Sequence, residues 1–291
     1  MPGSAEERTT LIVVHWNRPQ ECATTVRLLL QQRPNLRVVV VDNASRPECY
    51  TSLTDQLGPA AQFVRLTENK GWGGALNVVL RTWLSSGIGS YCLISAHDAA
   101  PAENCLSLLF EAAEKDARIG IACPQYPDET VPGFSALRGV YYHHGTVLPD
   151  GTAEEVSVPH GTLMLLRREC LAQIGLFNER YFAYGDEHEL GARAGRAGWK
   201  VVLVWGAIVT NPGTWTSSPL RSYLFARNSL FLVREYFGMA SAWLRALFIA
   251  ANTVRLLVRS PGEAFAFSPK ARFLAIKDYF TGRHGLPDWA G

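Results

Sequence analysis

The chain is 291 residues long, 47% hydrophobic and 19% charged, with 28 Lys and Arg against 26 Asp and Glu for a formal charge of +2. That length and apolar content suffice for one large globular domain or a domain plus an appendage, and they exclude intrinsic disorder and a small disulfide scaffold. The near-neutral balance leaves no overall field to recruit nucleic acid, so any partner must be recognised locally.

In chain order, Met1–Arg8 is polar and acidic and lacks the basic segment and apolar core of a secretory signal, which points to a cytoplasmic protein. Thr10–His15 is a β-branched run, Arg18–Gln32 has helical spacing, and Leu36–Val41 is a second apolar run closed by Asp42. The chain therefore opens on a β-α-β unit. Strands that are apolar throughout belong to a mostly parallel sheet covered by helices on both faces, and such sheets bind ligands beyond the carboxyl ends of their strands. Phe63–Leu66 predicts a third strand, Gly73–Ser85 a helix, Tyr91–Ser95 a fourth strand ending in Ala96-His97-Asp98, and Ala102–Asp116 another helix. From Pro124 to Pro159 the alternation dissolves into Pro, Gly and aromatic residues, the mark of irregular strands and a long loop over the site.

Regular structure resumes with a strand at Gly161–Leu166, a helix around Arg168–Ile174, an acidic cluster at Asp186–Glu189 opening a helix to Ala197, and a strand at Lys200–Val204. After Pro219 the pattern is mainly helical, dividing the chain into an α/β body over residues 1–218 and a helical region over 219–291. Met239–Val258 is the most apolar long stretch, but Arg245, Asn252 and Arg255 interrupt it and it does not read as a membrane span. Wound as a helix, it sets Arg245, Asn252, Arg255 and Arg259 opposite Trp243, Leu247, Ala251, Val254 and Val258. Such a basic amphipathic helix either packs on the body, as a lid or a homodimer contact, or rests on an anionic membrane surface. Cys22, Cys49, Cys92, Cys105, Cys123 and Cys170 show no metal-ligand spacing and read as reduced core residues.

Four strand-end motifs carry chemistry. Asp42 can accept the imide N–H of a pyrimidine base, or serve as a turn or capping residue before Ala44-Ser45. In Asn69-Lys70-Gly71-Trp72-Gly73-Gly74-Ala75-Leu76-Asn77, three glycines precede a helix, so backbone amides can approach a phosphate while Asn69 and Asn77 offer polar groups to it or to a ribose. The alternative there is an ordinary loop and cap. Asp98 can hold a divalent cation bridging two phosphates, with His97 either a further ligand or a packing residue. At Asp186-Glu187-His188-Glu189, Glu187 or Asp186 can deprotonate an acceptor hydroxyl, the alternative being acidic capping of a helix dipole.

In this order the motifs resemble glycosyltransferase family 2, inverting enzymes of GT-A fold, and within it a rhamnosyltransferase-like branch, from about Thr9 to Phe231. Leu11–Pro19 is similar to the family's first strand and base-binding turn, which implies nucleotide contacts at His15 and Asn17. Val38–Ser45 resembles the second strand with its base-reading Asp42, and Asn69–Asn77 the glycine-rich donor loop, with Asn69, Gly71, Trp72, Gly73, Gly74 and Asn77 as implied donor contacts. Gly161–Arg168, Ile174–Leu190 and Gly198–Val202 match most specifically, and they place the acidic pair on Asp186-Glu187, making Glu187 the implied general base. Arg227-Asn228 matches an Arg-Asn pair of the branch. Two positions depart from the pattern: the DxD metal motif becomes Ala96-His97-Asp98, and the His after the last core strand is Asn211.

The reading is an inverting glycosyltransferase moving a sugar from a nucleoside diphosphate, UDP or dTDP, to an acceptor hydroxyl or amine, with Mg²⁺ or Mn²⁺ on Asp98 and His97. The rival is a catalytically weakened relative that binds nucleotide-sugar or serves as a partner subunit, to which the two departures point. A Rossmann-type oxidoreductase is disfavoured because His15-Trp16-Asn17-Arg18-Pro19, not a glycine-rich turn, follows the first strand.

Overall fold

A computed structural model describes residues 9–211, 216–259 and 267–290. The expectation for Met1–Arg8 lies outside the described residues. The first half alternates as the apolar runs predict: β1 (Thr10–His15), α1 (Pro19–Gln32), β2 (Arg37–Asp42), α2 (Pro47–Leu57), β3 (Gln62–Arg65), α3 (Gly71–Ser86), β4 (Tyr91–Ala96), the short β5 (Ala100–Pro101) and α4 (Cys105–Lys115). There follow β6 (Ile119–Gln125), a hairpin of β7 (Thr130–Ser135) and β8 (Gly139–His144), β9 (Ala153–Glu155), β10 (Leu163–Arg167), α5 (Arg168–Ile174), α6 (Asp186–Arg196) and β11 (Lys200–Thr210). The chain closes with α7 (Ser218–Arg259), broken at Gly238 by non-helical φ/ψ, and α8 (Pro269–Phe280).

The main sheet runs β3-β2-β1-β4-β10-β6-β11-β5, with β9 on β11. Period-two geometry divides β1 between two cores: Leu11 and Val13 pack with Val26 and Leu29 of α1 and Leu109 of α4, while Ile12 and Val14 pack with Leu76, Leu80 and Trp83 of α3. A strand buried on both faces needs a side chain of this kind at every position, hence the unbroken apolar run. All six cysteines are buried and free.

The sheet is mixed where a mostly parallel one was expected. β1 pairs in parallel with β2 and β4, and β6 with β11, but β10 enters antiparallel between β4 and β6. Its first residue, Leu163, lies opposite Ser95 near the carboxyl end of β4. The connection from β6 passes over the site end of the sheet through β7, β8 and β9, so β10 starts there and runs back. A run such as Leu163–Arg167 is buried at every position in either direction, so its composition carries no sign of orientation. β11 also runs on to Thr210, past the expected end at Val204: its register with β6 shifts between Val204 and Ile208 around Gly206, whose φ is +78°. That irregularity breaks the pattern of apolar residues without ending the strand.

Candidate active site

The carboxyl ends of β1 and β2 meet in a buried polar cluster. His15 Nδ1 lies 2.9 Å from Asp42 Oδ1, and the Arg18 amide donates to His15 Nε2 at 3.1 Å. With Nε2 accepting, the network assigns the ring proton to Nδ1, which donates to Asp42. Burial pushes the Asp42 carboxyl up, but its hydrogen bonds to His15 and Ser45 outweigh that and hold it below the usual carboxylate range. Its other oxygen, Oδ2, is buried with no hydrogen-bond partner among the described residues, 3.4 Å from Arg65 Nε. One oxygen is fixed by His15, and among the described residues the second meets only the Arg65 ion pair. Asn17, at φ +56°, ties the two turns together: its amide donates to Ser45 Oγ at 2.9 Å, and its Oδ1 accepts from the Arg46 amide at 2.8 Å.

The glycine-rich loop does not form the expected amide cradle. The Lys70 amide donates to Asn43 Oδ1 at 2.9 Å, Gly71 to Asn69 Oδ1 at 2.9 Å, Trp72 to the Phe182 carbonyl at 2.7 Å, and Gly73 to Asp186 Oδ2 at 2.8 Å. Four successive donors are thus committed to the protein's own oxygens. The glycines answer to close packing instead: a Cβ on Gly71 would strike the Phe182 carbonyl, one on Gly73 would lie 2.7 Å from Phe177 Cβ, and one on Gly74 would lie 3.0 Å from Lys70 Cβ. Asn77 commits both side-chain N–H groups, to the Phe177 carbonyl at 2.9 Å and Glu179 Oε1 at 2.8 Å, and its Oδ1 accepts from the Phe177 amide. It clamps α3 to the turn before α6, with no side-chain donor left for a phosphate. Trp72 Nε1 is buried without a hydrogen-bond partner among the described residues. The loop is a joint between the nucleotide side and the acidic helix, and Asn43, which the motif reading left without a role, pins it by donating to Asn69 Oδ1 and the Gly71 carbonyl.

Three residues with positive φ, Phe182, Tyr184 and Gly185, bend the chain into α6. Such conformations persist where the surroundings over-determine them. Here Asn228 of α7 donates to the carbonyls of Tyr181, Ala183 and Tyr184 at 2.9, 2.7 and 3.0 Å. Buried Arg227 braces the same turn, donating to the side-chain Oδ1 of Asn228 at 3.0 Å and to the Gly285 backbone carbonyl at 2.7 Å. The Arg-Asn pair is scaffolding for the acidic helix.

At the start of α6 the carboxylates separate by role. Asp186 is buried, with Oδ2 on the Gly73 amide and Oδ1 unpartnered among the described residues. Burial, and then the charge of Glu187, raise its carboxyl well above the ordinary range. For Glu187 burial acts in the same direction, but His188 and the hydrogen bond from the Gly185 amide outweigh it, and the carboxyl sits below the ordinary range. The two neighbouring carboxyls are thus pushed in opposite directions, Asp186 up and Glu187 down. Glu187 Oε2 accepts from the Gly185 amide at 3.0 Å, and Oε1 lies 3.5 Å from His188 Nε2. Glu189 is committed elsewhere, in a two-pronged pair with Arg193 at 2.9 and 2.7 Å.

The irregular segment supplies a wall to this site. Tyr126 stacks on buried His160 at 4.2 Å and hydrogen-bonds Thr162 Oγ1 at 2.7 Å, and Glu187 packs within 3.6 Å of where a Cβ on Gly161 would stand. Burial lowers the His160 imidazole to about 4, so it is neutral at pH 7. Since the Ala96 amide donates to the Thr162 carbonyl at 2.9 Å, the end of β4 abuts this wall.

Asp98 is buried two residues beyond β4. His97 is lowered to about 4, by burial first and then by His15, and its Nε2 is buried without a hydrogen-bond partner among the described residues. Its ring meets His15 edge-on at 6.4 Å. Among the described residues no group of three His, Cys, Asp or Glu side chains converges as a metal site. Asp98 and His97 fall short of the ligand count that a hard cation takes, and they do not make a cation site on their own.

The chain matches the family description "Glycosyl transferase family 2" over residues 10–175. It is 26% identical over 269 residues to the N-acetylglucosaminyl-diphospho-decaprenol L-rhamnosyltransferase of Mycobacterium tuberculosis, covering 80% of this chain and 86% of the relative. Among solved structures, the mannosyltransferase PcManGT from Pyrobaculum calidifontis, in complex with GDP-Man and Mn²⁺, superposes with a TM-score of 0.61 at 17% identity over 94% of this chain and 87% of that one. TarS residues 1–349 from S. aureus, in complex with UDP-GlcNAc, gives 0.56 at 14% identity over 97% and 82%. These likenesses show a shared GT-A fold.

Proposed function

Because the chain belongs to glycosyltransferase family 2, we propose that this enzyme transfers a sugar from a nucleoside-diphosphate donor to an acceptor hydroxyl or amine in a single inverting displacement, with Glu187 as general base. The observation that carries the reading is the divided geometry of the acidic pair: Asp186 is buried and bonded to the donor loop through the Gly73 amide, while Glu187 beside it packs against Gly161 at the wall formed by Tyr126 and His160. The acceptor oxygen or nitrogen forms the new bond to the anomeric carbon. The bond from that carbon to the diphosphate oxygen breaks with its electron pair leaving on the diphosphate, and the acceptor proton passes to Glu187. A carboxyl held below the usual range is a weak base. It takes the proton as the acceptor becomes acidic in the transition state.

Asp186 acts as the positioning residue, since its hydrogen bond to Gly73 ties the base helix to the donor loop. At the nucleotide end, Asp42 Oδ2, ion-paired with Arg65 at 3.4 Å but accepting no hydrogen bond among the described residues, suits the imide N–H of uracil or thymine, which favours UDP or dTDP. Stabilisation of the leaving group falls to the positive end of α3 and the Lys70 ammonium at its N-cap, because the loop amides are engaged. The Mn²⁺ in the structurally similar PcManGT supports a divalent cation as cofactor. Asp98 would add one carboxylate to such a cation, whose charge would offset that of the leaving diphosphate. This division of labour goes with a nucleotide-sugar body over residues 1–218 and a helical region over 219–291.

The second reading, a weakened protein that holds nucleotide-sugar without transferring it, is favoured by Ala96 standing where the metal motif wants a carboxylate. Transfer and donor hydrolysis measured with UDP- and dTDP-sugars, with and without EDTA, test the proposal. Turnover that is lost in Glu187→Gln supports it, and nucleotide binding without any turnover favours the second reading.

A further inference from the structure

The helix α7 is amphipathic as the wheel predicts, but it is mounted the other way out. Beyond Gly238 the side facing the protein is a seam of small or modest residues, Ala242, Ala246, Ile249 and Thr253, all buried. Of the polar arc, Arg245 turns inward, donating to Ser229 Oγ at 3.2 Å and to the Leu137 carbonyl at 2.6 Å, while Arg255 stays exposed. The large apolar side chains face solvent, with Trp243 53%, Leu247 62% and Val258 82% exposed, and Leu244, Val254 and Leu257 beside them. At 100° per residue these positions fall on one continuous arc. From α8 the exposed rings of Phe273 and Phe280 extend the patch, Phe280 lying 4.2 Å from Trp243 between ring centroids. Water-facing surfaces of single soluble chains rarely carry a contiguous apolar face of this kind.

We propose that this face, over α7 and α8, docks flat on a bilayer containing anionic lipid. Charge selects that occupant. From Met239 to Lys277 the sequence carries Arg245, Arg255, Arg259, Lys270, Arg272 and Lys277 against one acid, Glu263. Lys270 and Lys277 are exposed on α8, where Lys277 lies four residues after Phe273 and three before Phe280, so basic and aromatic side chains share one edge. Among the described residues no acidic side chain pairs with Lys270, Lys277 or Arg255. A symmetric contact with a second copy would bring these cations together, whereas anionic headgroups neutralise them as the Trp and Phe rings enter the interface. By length and composition α7 could also cross a bilayer. Its first half, however, carries Arg227 and Asn228 on the acidic-helix turn, and its second half lies along the buried seam, so docking flat preserves both.

The inference is independent of the sugar, base and cation readings, and its test has a binding readout. The full chain is sedimented with vesicles of phosphatidylcholine alone and of phosphatidylcholine with phosphatidylglycerol in equal parts. The anionic vesicles should bind at least tenfold more tightly, and high salt or sodium carbonate should release the protein. The double variant Trp243→Glu/Leu247→Glu should lose at least tenfold in affinity with an unchanged unfolding midpoint and unchanged donor hydrolysis. Lys270→Glu/Lys277→Glu should lose the preference for anionic vesicles. Equal binding to both vesicles, resistance to carbonate extraction, or no vesicle binding together with a dimer that Trp243→Glu/Leu247→Glu splits in light scattering would each overturn it.

Discussion

Replacing Glu187 by Gln removes a proton acceptor and very little else. The Gln side-chain carbonyl can still accept from the Gly185 amide, now 3.0 Å from Oε2, and Asp186 keeps its bond to the Gly73 amide at 2.8 Å. General-base catalysis is worth about 10² to 10⁴ in rate, or about 2.7–5.5 kcal/mol of activation free energy. Turnover should fall by that factor while donor affinity stays within about twofold, because the base acts on the acceptor. The assay is nucleoside diphosphate released per enzyme with saturating donor, paired with calorimetric donor binding. Asp186→Asn is the internal control: Asp186 acts through its hydrogen bond to Gly73, so the amide should keep that bond and most of the activity. If Glu187→Gln retains more than about a tenth of turnover while Asp186→Asn is dead, the proton acceptor is Asp186 and the reasoning from the divided pair is wrong.

The same pair has a signature in stability. A carboxyl whose folded pKa is raised, as at Asp186, stabilises fully below its unfolded value and loses that contribution as pH rises through the folded value. Melting of the wild type should therefore decline towards alkaline pH more steeply than that of Asp186→Asn, and parallel curves would count against a protonated Asp186. His97 and His160 have the opposite sign of consequence: burial holds both at about 4, so each contributes at neutral pH and loses about 2 kcal/mol between pH 6.5 and pH 5, to be seen as a falling denaturant midpoint. Asn228→Ala strips donors from the Tyr181, Ala183 and Tyr184 carbonyls and should cost about 1–3 kcal/mol, with turnover lost more than donor affinity. Unaltered kinetics would show that the turn holds its shape without α7. For the cation, Ala96→Asp should tighten Mn²⁺ binding measured in the presence of UDP, and full activity in EDTA with a silent Asp98→Ala would remove the metal from the reaction.

The sequence alone carries the alternating body, the strand-end placement of His15, Asp42 and Asp98, and the concentration of acid at Asp186–Glu189. These are legible because an apolar strand buried on both faces, or a helix with a wet side, leaves a periodic trace in the chain itself. What the acidic residues do individually leaves no such trace. That Asp186 is bonded to the donor loop at Gly73, and that the loop glycines answer to Phe177 and Phe182, depend on partners more than a hundred residues away in sequence. Asn77 reads the same whether it faces a ribose or, as here, the Phe177 backbone a hundred residues on. The direction of β10 and the outward apolar face of α7 are of the same kind, since hydrophobic periodicity records which side of an element is apolar and only the packing of the other elements decides what that side meets.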